Sequence, residues 1–297
     1  MTSSAKDFAT VEHDADLESP LRRVAYEAGM MLGLEATRDE QGYHRRRLTR
    51  QQYWLHGAGT LAGMAVSIDP DAAEDPDTDM TVRVLVGPGF GIDGLGREVL
   101  VHESYCVNLG EWLAAQGETA LHDGFDAGES RLWLRVSVRH QDCPVAAQPV
   151  LARKLNMSTD PVQPSRIADG VLLEIQPELP PAGEPGYRPW QAHGPLADAP
   201  EGLTDAEQAT LAAAEAESEA AGRLMNLHAR LLHALDDGVS PQTVADRLHE
   251  SARLLLARIS IETTSLSHIV VNPSRISVNN LVRPFLVTPG QLAHLAR

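Results

Sequence analysis

The chain has 297 residues, of which 43% are apolar and only 4% aromatic, and a net charge of −16, which allows one large domain or two modest ones. So acidic a surface repels phosphate backbones and anionic lipid heads, which argues against nucleic acid and membrane surfaces as partners. Two cysteines, Cys106 and Cys143, make neither a disulfide framework nor a zinc site.

Residues 1–22 are polar and aperiodic and read as a flexible arm. They contain no apolar signal-peptide core, and no stretch reaches the roughly 20 apolar residues of a membrane helix. The expected location is the cytoplasm. A short apolar run, AYEAGMMLGL (25–34), precedes a helix expected over about 36–55. There Tyr43, Arg47, Arg50 and Trp54 recur at helical steps, and Gly57 supplies the terminating cap.

Beyond the helix the period changes to two. TLAGMAVSI (60–68) reads as a strand, and the acidic stretch 69–79 as an exposed loop. Residues 81–101 read as two or three short antiparallel strands with turns at Pro88-Gly89 and Asp93 to Gly96. A short helix is expected over 106–117. Strands are expected over 131–139, where Leu132, Leu134, Val136 and Val138 alternate with polar neighbours, and over 169–180. The Pro- and Gly-rich residues 181–202 read as a linker.

A capping box at Thr204 to Glu207 opens a helix to about residue 237. Ser240-Pro241 starts another over 241–259, with Val244, Leu248, Leu255 and Ile259 on one face. Residues 203–260 thus read as a helical hairpin. The tail, 261–297, offers short apolar runs, an edge position marked by Pro284 and a terminal helix after Pro289-Gly290. The expected class is α+β. A small mixed antiparallel β domain with an N-terminal helix (23–180) is followed by a long α-helical hairpin and a short β or edge tail.

The chemistry-bearing residues are scattered. His44 and His56 stand twelve residues apart, about 18 Å along a helix, too far to share a metal. His228 and His233 diverge around theirs. The glycines between 87 and 96 lack the helix that would hold a phosphate behind them, so they read as turn residues. His140 and Cys143 stand at a strand end, where packing is the better reading of the thiol. No catalytic residue, metal ligand or cofactor is expected. Arg45, Arg46, Arg47 and Arg50 form a basic stretch that reads as a solvated face or as ion pairs with the acidic loop, then as a docking surface for an acidic partner, with RNA binding third.

Three segments in order carry a family resemblance: Tyr26 and Gly29 opening the helix region; Leu55-His56-Gly57-Ala58-Gly59; and Pro88, Gly89, Asp93, Gly96, Arg97 and Glu98. Over about residues 25–180 the chain resembles a largely uncharacterised family found with phage-tail-like contractile injection systems. Gly33 and Ala58 stand where that family more often has a hydroxyl residue and a tryptophan.

The resemblance implies a non-enzymatic structural component of the baseplate or cap region of such a particle. Its expected partners are the sheath, tube, baseplate or cap proteins and further copies of itself, within an assembly that is released from the cytoplasm in some systems. The residues expected at interfaces are Arg45, Arg46, Arg47, Arg50, His56, Gly57, Asp93, Arg97 and Glu98. Two other readings follow from the residues: an enzyme or small-ligand binder using His56, Asp93 and Glu98, and a regulatory adaptor whose hairpin captures a partner helix.

Overall fold

The computed structural model describes residues 21–69, 81–149, 162–181 and 251–295, with a few helical positions between 205 and 213. Helix α1 (Leu34–His56) is the longest element. Gly57 ends it at φ 75° and donates its N–H to the carbonyls of Gln52 and Tyr53; its ψ of −163° lies outside the left-handed helical cap, but the positive φ is one that glycine adopts freely.

The next six strands come as three bent pairs: β1 (Gly59–Gly63) and β2 (Val66–Ile68), β3 (Arg83–Val86) and β4 (Gly89–Ile92), β5 (Glu98–Val101) and β6 (Tyr105–Asn108). Each pair splits between two three-stranded antiparallel sheets, β1-β4-β5 and β2-β3-β6. A strand that kinks between sheets makes a corner of this kind. The first kink holds Gly63 and Met64 at positive φ. The second passes through Gly87 and Pro88. Residues 81–101 therefore do form three strands, but β3 and β4 do not pair with each other.

Asn108 caps helix α2 (Leu109–Ala115), its side chain accepting from the Glu111 N–H. The helix expected from 106 thus starts three residues later, because Cys106 and Val107 belong to β6. A single-turn helix α3 (Glu118–Leu121) and strand β7 (Phe125–Asp126) follow.

The third sheet is built on β8 (Arg131–Pro149), which pairs antiparallel with β9 (Val162–Pro177) on one side and β10 (Leu254–Glu262) on the other. β11 (Ile276–Asn279) extends it beyond β10. Leu132, Leu134, Val136 and Val138 face the core as the alternation predicts. Leu256, Ile259 and Ile261 of β10 meet them there in one apolar cluster shared with β2, β3 and β5. Charged groups on the sheet pair with one another, whereas the buried Ser137 hydroxyl has no hydrogen-bond partner among the described residues. Glu178 binds Arg135 and the buried Arg258, each at 2.7 Å, and Glu174 binds Arg253 at 2.6 Å.

The expected class is corrected here. Three antiparallel sheets dominate, and the described residues contain no long helical hairpin. The second helix was expected to run to 259, yet residues 254–262 form a central strand. Leu254, Leu256, Ala257, Ile259 and Ile261 are buried in the apolar cluster, and so are Arg258 and Ser260 on the other face. A run buried on both faces loses its alternation, and its apolar spacing also fits a helix. Of the earlier part of the hairpin only a few helical positions between 205 and 213 are described; the rest of it, the linker from 182 and the acidic loop from 70 lie outside the described residues.

The tail is part of the body too. Thr60 exchanges backbone hydrogen bonds with Pro284 and Leu286. Asn280 pairs its side chain with both backbone groups of Val66, and Arg283 donates to the carbonyls of Gly63 and Met64. Pro284 sits at an edge as expected, beside the isolated parallel bridge between Thr60 and Phe285. Helix α4 (Pro289–Leu295) closes the described chain. No helix among the described residues is long and apolar enough to cross a membrane.

Candidate functional site

Helix α1 buries Gly42, Arg46 and Tyr53, a stripe at helical spacing that turns the other arginines outward. Arg45, Arg47 and Arg50 are exposed, whereas Arg46 retains only 5% of its surface. The four arginines therefore do not form one docking face. Arg47 donates to the Tyr43 hydroxyl at 3.0 Å and lies over its ring.

The turn at 93–96 seats directly on this helix. Asp93 is fully buried; it accepts from the N–H groups of Leu95 and Arg97 and binds Arg97 Nε at 2.8 Å. Burial pushes its carboxyl up, and Arg97 with the backbone donors opposes that push. Gly96 holds φ +77°, and a Cβ there would stand 2.1 Å from the Thr49 carbonyl oxygen. Only glycine fits both demands. Gln52 donates to Glu98 across the same junction at 3.2 Å. The Asp-x-x-Gly-Arg-Glu sequence is thus a kit for fastening a β-turn to a helix.

Between α1, this turn and the β8–β9 pair lies a cleft of about 740 Å³. Arg45 lines its helix side, Arg97 and Glu98 its turn side, and Arg166 and Ile167 its β9 side. Its floor carries His140, Asp142 and Asp169. These three follow from the register. The core-facing row Leu132, Leu134, Val136, Val138 continues in phase to His140 and Asp142, and Asp169 stands directly opposite Asp142 on β9. His140 Nε2 and Asp142 Oδ1 are 3.1 Å apart. One donor atom from each of the three residues lies within 4.8 Å of the others. The hydrogen bond with Asp142 holds the His140 imidazolium above the ordinary imidazole range and Asp142 below the carboxylate range.

Of the residues singled out in the sequence, the structure brings Arg45, Arg97 and Glu98 to this cleft. His56 is exposed at the far end of α1, Gly57 is buried in the cap, and Asp93 is buried inside its turn, so none of the three lines it. His56, Asp93 and Glu98 do not converge. Cys143 packs against Gly170, where a Cβ would lie 2.7 Å from its sulfur, as the packing reading expects. The triad His140, Asp142, Asp169 was not foreseen. A His-x-Asp pair in phase with an apolar strand row is a visible signal for two of its members; Asp169 requires the register. Compared with known protein families and with curated proteins, the chain matches none.

Proposed function

We propose that the chain is a non-enzymatic structural subunit of a phage-tail-like contractile particle, acting through contacts with the other particle proteins and with further copies of itself. The observation that carries this reading is the β8–β9 pair. β8 has β10 beside it only as far as Val138; from there to Pro149 its one partner among the described residues is β9. An isolated two-stranded ribbon is marginal in water, and this one presents Val145 and Ile167 at 42% and 49% exposure. Such a ribbon offers side chains, and an edge that no described strand pairs with, to a neighbour, the device by which strands are added across subunits.

A second exposed element agrees with it. Tyr26, Met30, Leu32 and Leu34 are solvent-facing, and Met31 is 97% exposed. Adjacent exposed apolar side chains of this kind mark contact surfaces. The segment is fastened to α1 by a hydrogen bond from the Val24 N–H to Glu40 at 2.9 Å.

The test is to tag the chain in a cell that makes the intact particle and to purify it under gentle conditions. The expected result is co-purification with sheath, tube or baseplate proteins, lost on deleting 140–170. A monomer without any of them rejects the reading.

A further inference from the structure

We propose that the exposed apolar segment 26–34 of one chain docks in the cleft between α1 and the β8–β9 pair of a second copy, so that copies join head to tail. The inference deepens the assembly reading: it rests on contacts between copies and names the two surfaces that make them.

The segment is held in a form that presents its apolar groups. The Glu27 carbonyl accepts from the Met30 N–H at 3.2 Å, and Gly29 holds φ +83°, which closes a tight turn. Met30 and Met31 come directly off that turn and, with Tyr26, Leu32 and Leu34, are exposed. Fixed by the turn and by the Val24 tether to Glu40, the segment loses less freedom on binding than a loose tail does. None of its residues lines the cleft of its own chain.

The cleft offers the matching surface. Leu48 of α1, Leu100 of β5 and Ile167 of β9 are exposed, and all three line this one cleft. Single exposed apolar side chains need no explanation, but a convergence of them from three elements marks a contact site. The volume of about 740 Å³ is that of a site that encloses its ligand.

Charge selects a second copy as the occupant. The chain carries −16, so two copies repel wherever their acidic surfaces meet. Segment 21–35 balances Arg22 and Arg23 against Glu27 and Glu35. The cleft balances Arg45, Arg97 and Arg166 against Glu98, Asp142 and Asp169. Two neutral faces let the apolar contact form without that repulsion. Arg166 on the β9 rim, and Glu27 and Glu35 on the segment, are exposed and form no ion pair among the described residues. Opposite charges so placed at a rim fix the register of the contact. Because segment and cleft are different surfaces, the contact is heterologous and repeats from copy to copy into a ring or a filament.

The test uses the purified full chain without particle proteins, in sedimentation over a range of concentrations. The expected result is association that rises with concentration beyond the dimer. Met31→Asp on the segment and Ile167→Asp in the cleft each weaken it at least about tenfold, the effect of losing a central anchor. Both positions are exposed, and circular dichroism confirms that the variants are folded. Mixed one to one, the two variants form a dimer and nothing larger, because only one intact segment and one intact cleft remain. The proposal is overturned if the unaltered chain stays monomeric, if either folded variant associates as before, or if the mixture does not pair. A chain that is monomeric alone yet still brings down sheath or baseplate proteins from the particle-making cell refutes this pairing and leaves the assembly reading standing. If Ile167→Asp abolishes that co-purification and Met31→Asp does not, the cleft belongs to another particle protein, which also overturns the proposal.

Discussion

The two halves of β8 share one strand and one ladder with β9, yet they differ in what else they touch. From Leu134 to Val138 the strand lies between β9 and β10, with β7 in place of β9 at Arg131 and Leu132, and Leu132, Leu134, Val136 and Val138 are buried in the common core. From His140 onward β10 is gone, the core-facing phase carries His140 and Asp142 instead of aliphatics, and residues 144–148 are exposed. Main-chain hydrogen bonds shape both halves alike. Burial secures only the first, because the hydrophobic term scales with area removed from water. The second half is therefore the place where contacts with something else have the most to add.

The largest effect that separates the halves should come from the core. Leu134→Ala deletes a fully buried side chain and should cost about 2–5 kcal/mol, the range for such cavities, read as a drop in the urea midpoint. If it cost less than about 0.5 kcal/mol, the level of an ordinary surface change, the proximal half would be no better packed than the distal one.

Next in size is the junction that fastens α1 beside the distal half. Gly96→Ala forces a Cβ into a left-handed position against the Thr49 carbonyl. The expected loss is about 1–3 kcal/mol, with faster proteolysis within α1. An unchanged midpoint and cleavage rate would mean that the turn does not hold the helix.

How far this architecture could be read from the residues depended on whether one face was buried or two. Leu132 to Val138 sit between core and partly exposed neighbours, so their alternation survives in the sequence and gives the strand. α1 keeps a narrow buried stripe, and its cap glycine marks the end. β10 is buried on both faces, which erased the alternation that would have separated it from a helix. The distal part of β8 was missed for the opposite reason: it has no apolar row at all, and only pairing with β9 makes it a strand. The cleft shows the same division. Arg45, Arg97 and Glu98 stood out as charged residues near local motifs, whereas its floor joins two strands at a register that no local pattern records.

On the distal half a substitution should be nearly silent for stability. Val145→Asp alters an exposed position, so its cost should stay within about 0.5 kcal/mol, while co-purification with particle proteins should fall. A loss of about 2 kcal/mol would instead show that the ribbon packs into the body, and the contrast between the two halves would be lost.

The smallest effect concerns the exposed N-terminal apolar segment, held to α1 through Glu40. The Val24 N–H and then His44 hold the Glu40 carboxyl below its ordinary range. A carboxylate lowered in the folded state stabilises the attachment above its unfolded pKa, and that contribution disappears as pH falls through the folded value. Glu40 is solvent-accessible, so the change should be slight and confined to this tether. Amide exchange at Val24 should accelerate on acidification through the carboxylate range, once corrected for intrinsic rates, while amides of β8 next to Leu134 keep their protection. Glu40→Gln should remove most of that pH dependence. If Val24 and the β8 amides instead lost protection together, the segment would be opening with the core, and its exposed Tyr26 to Leu34 face could not be released independently for a partner.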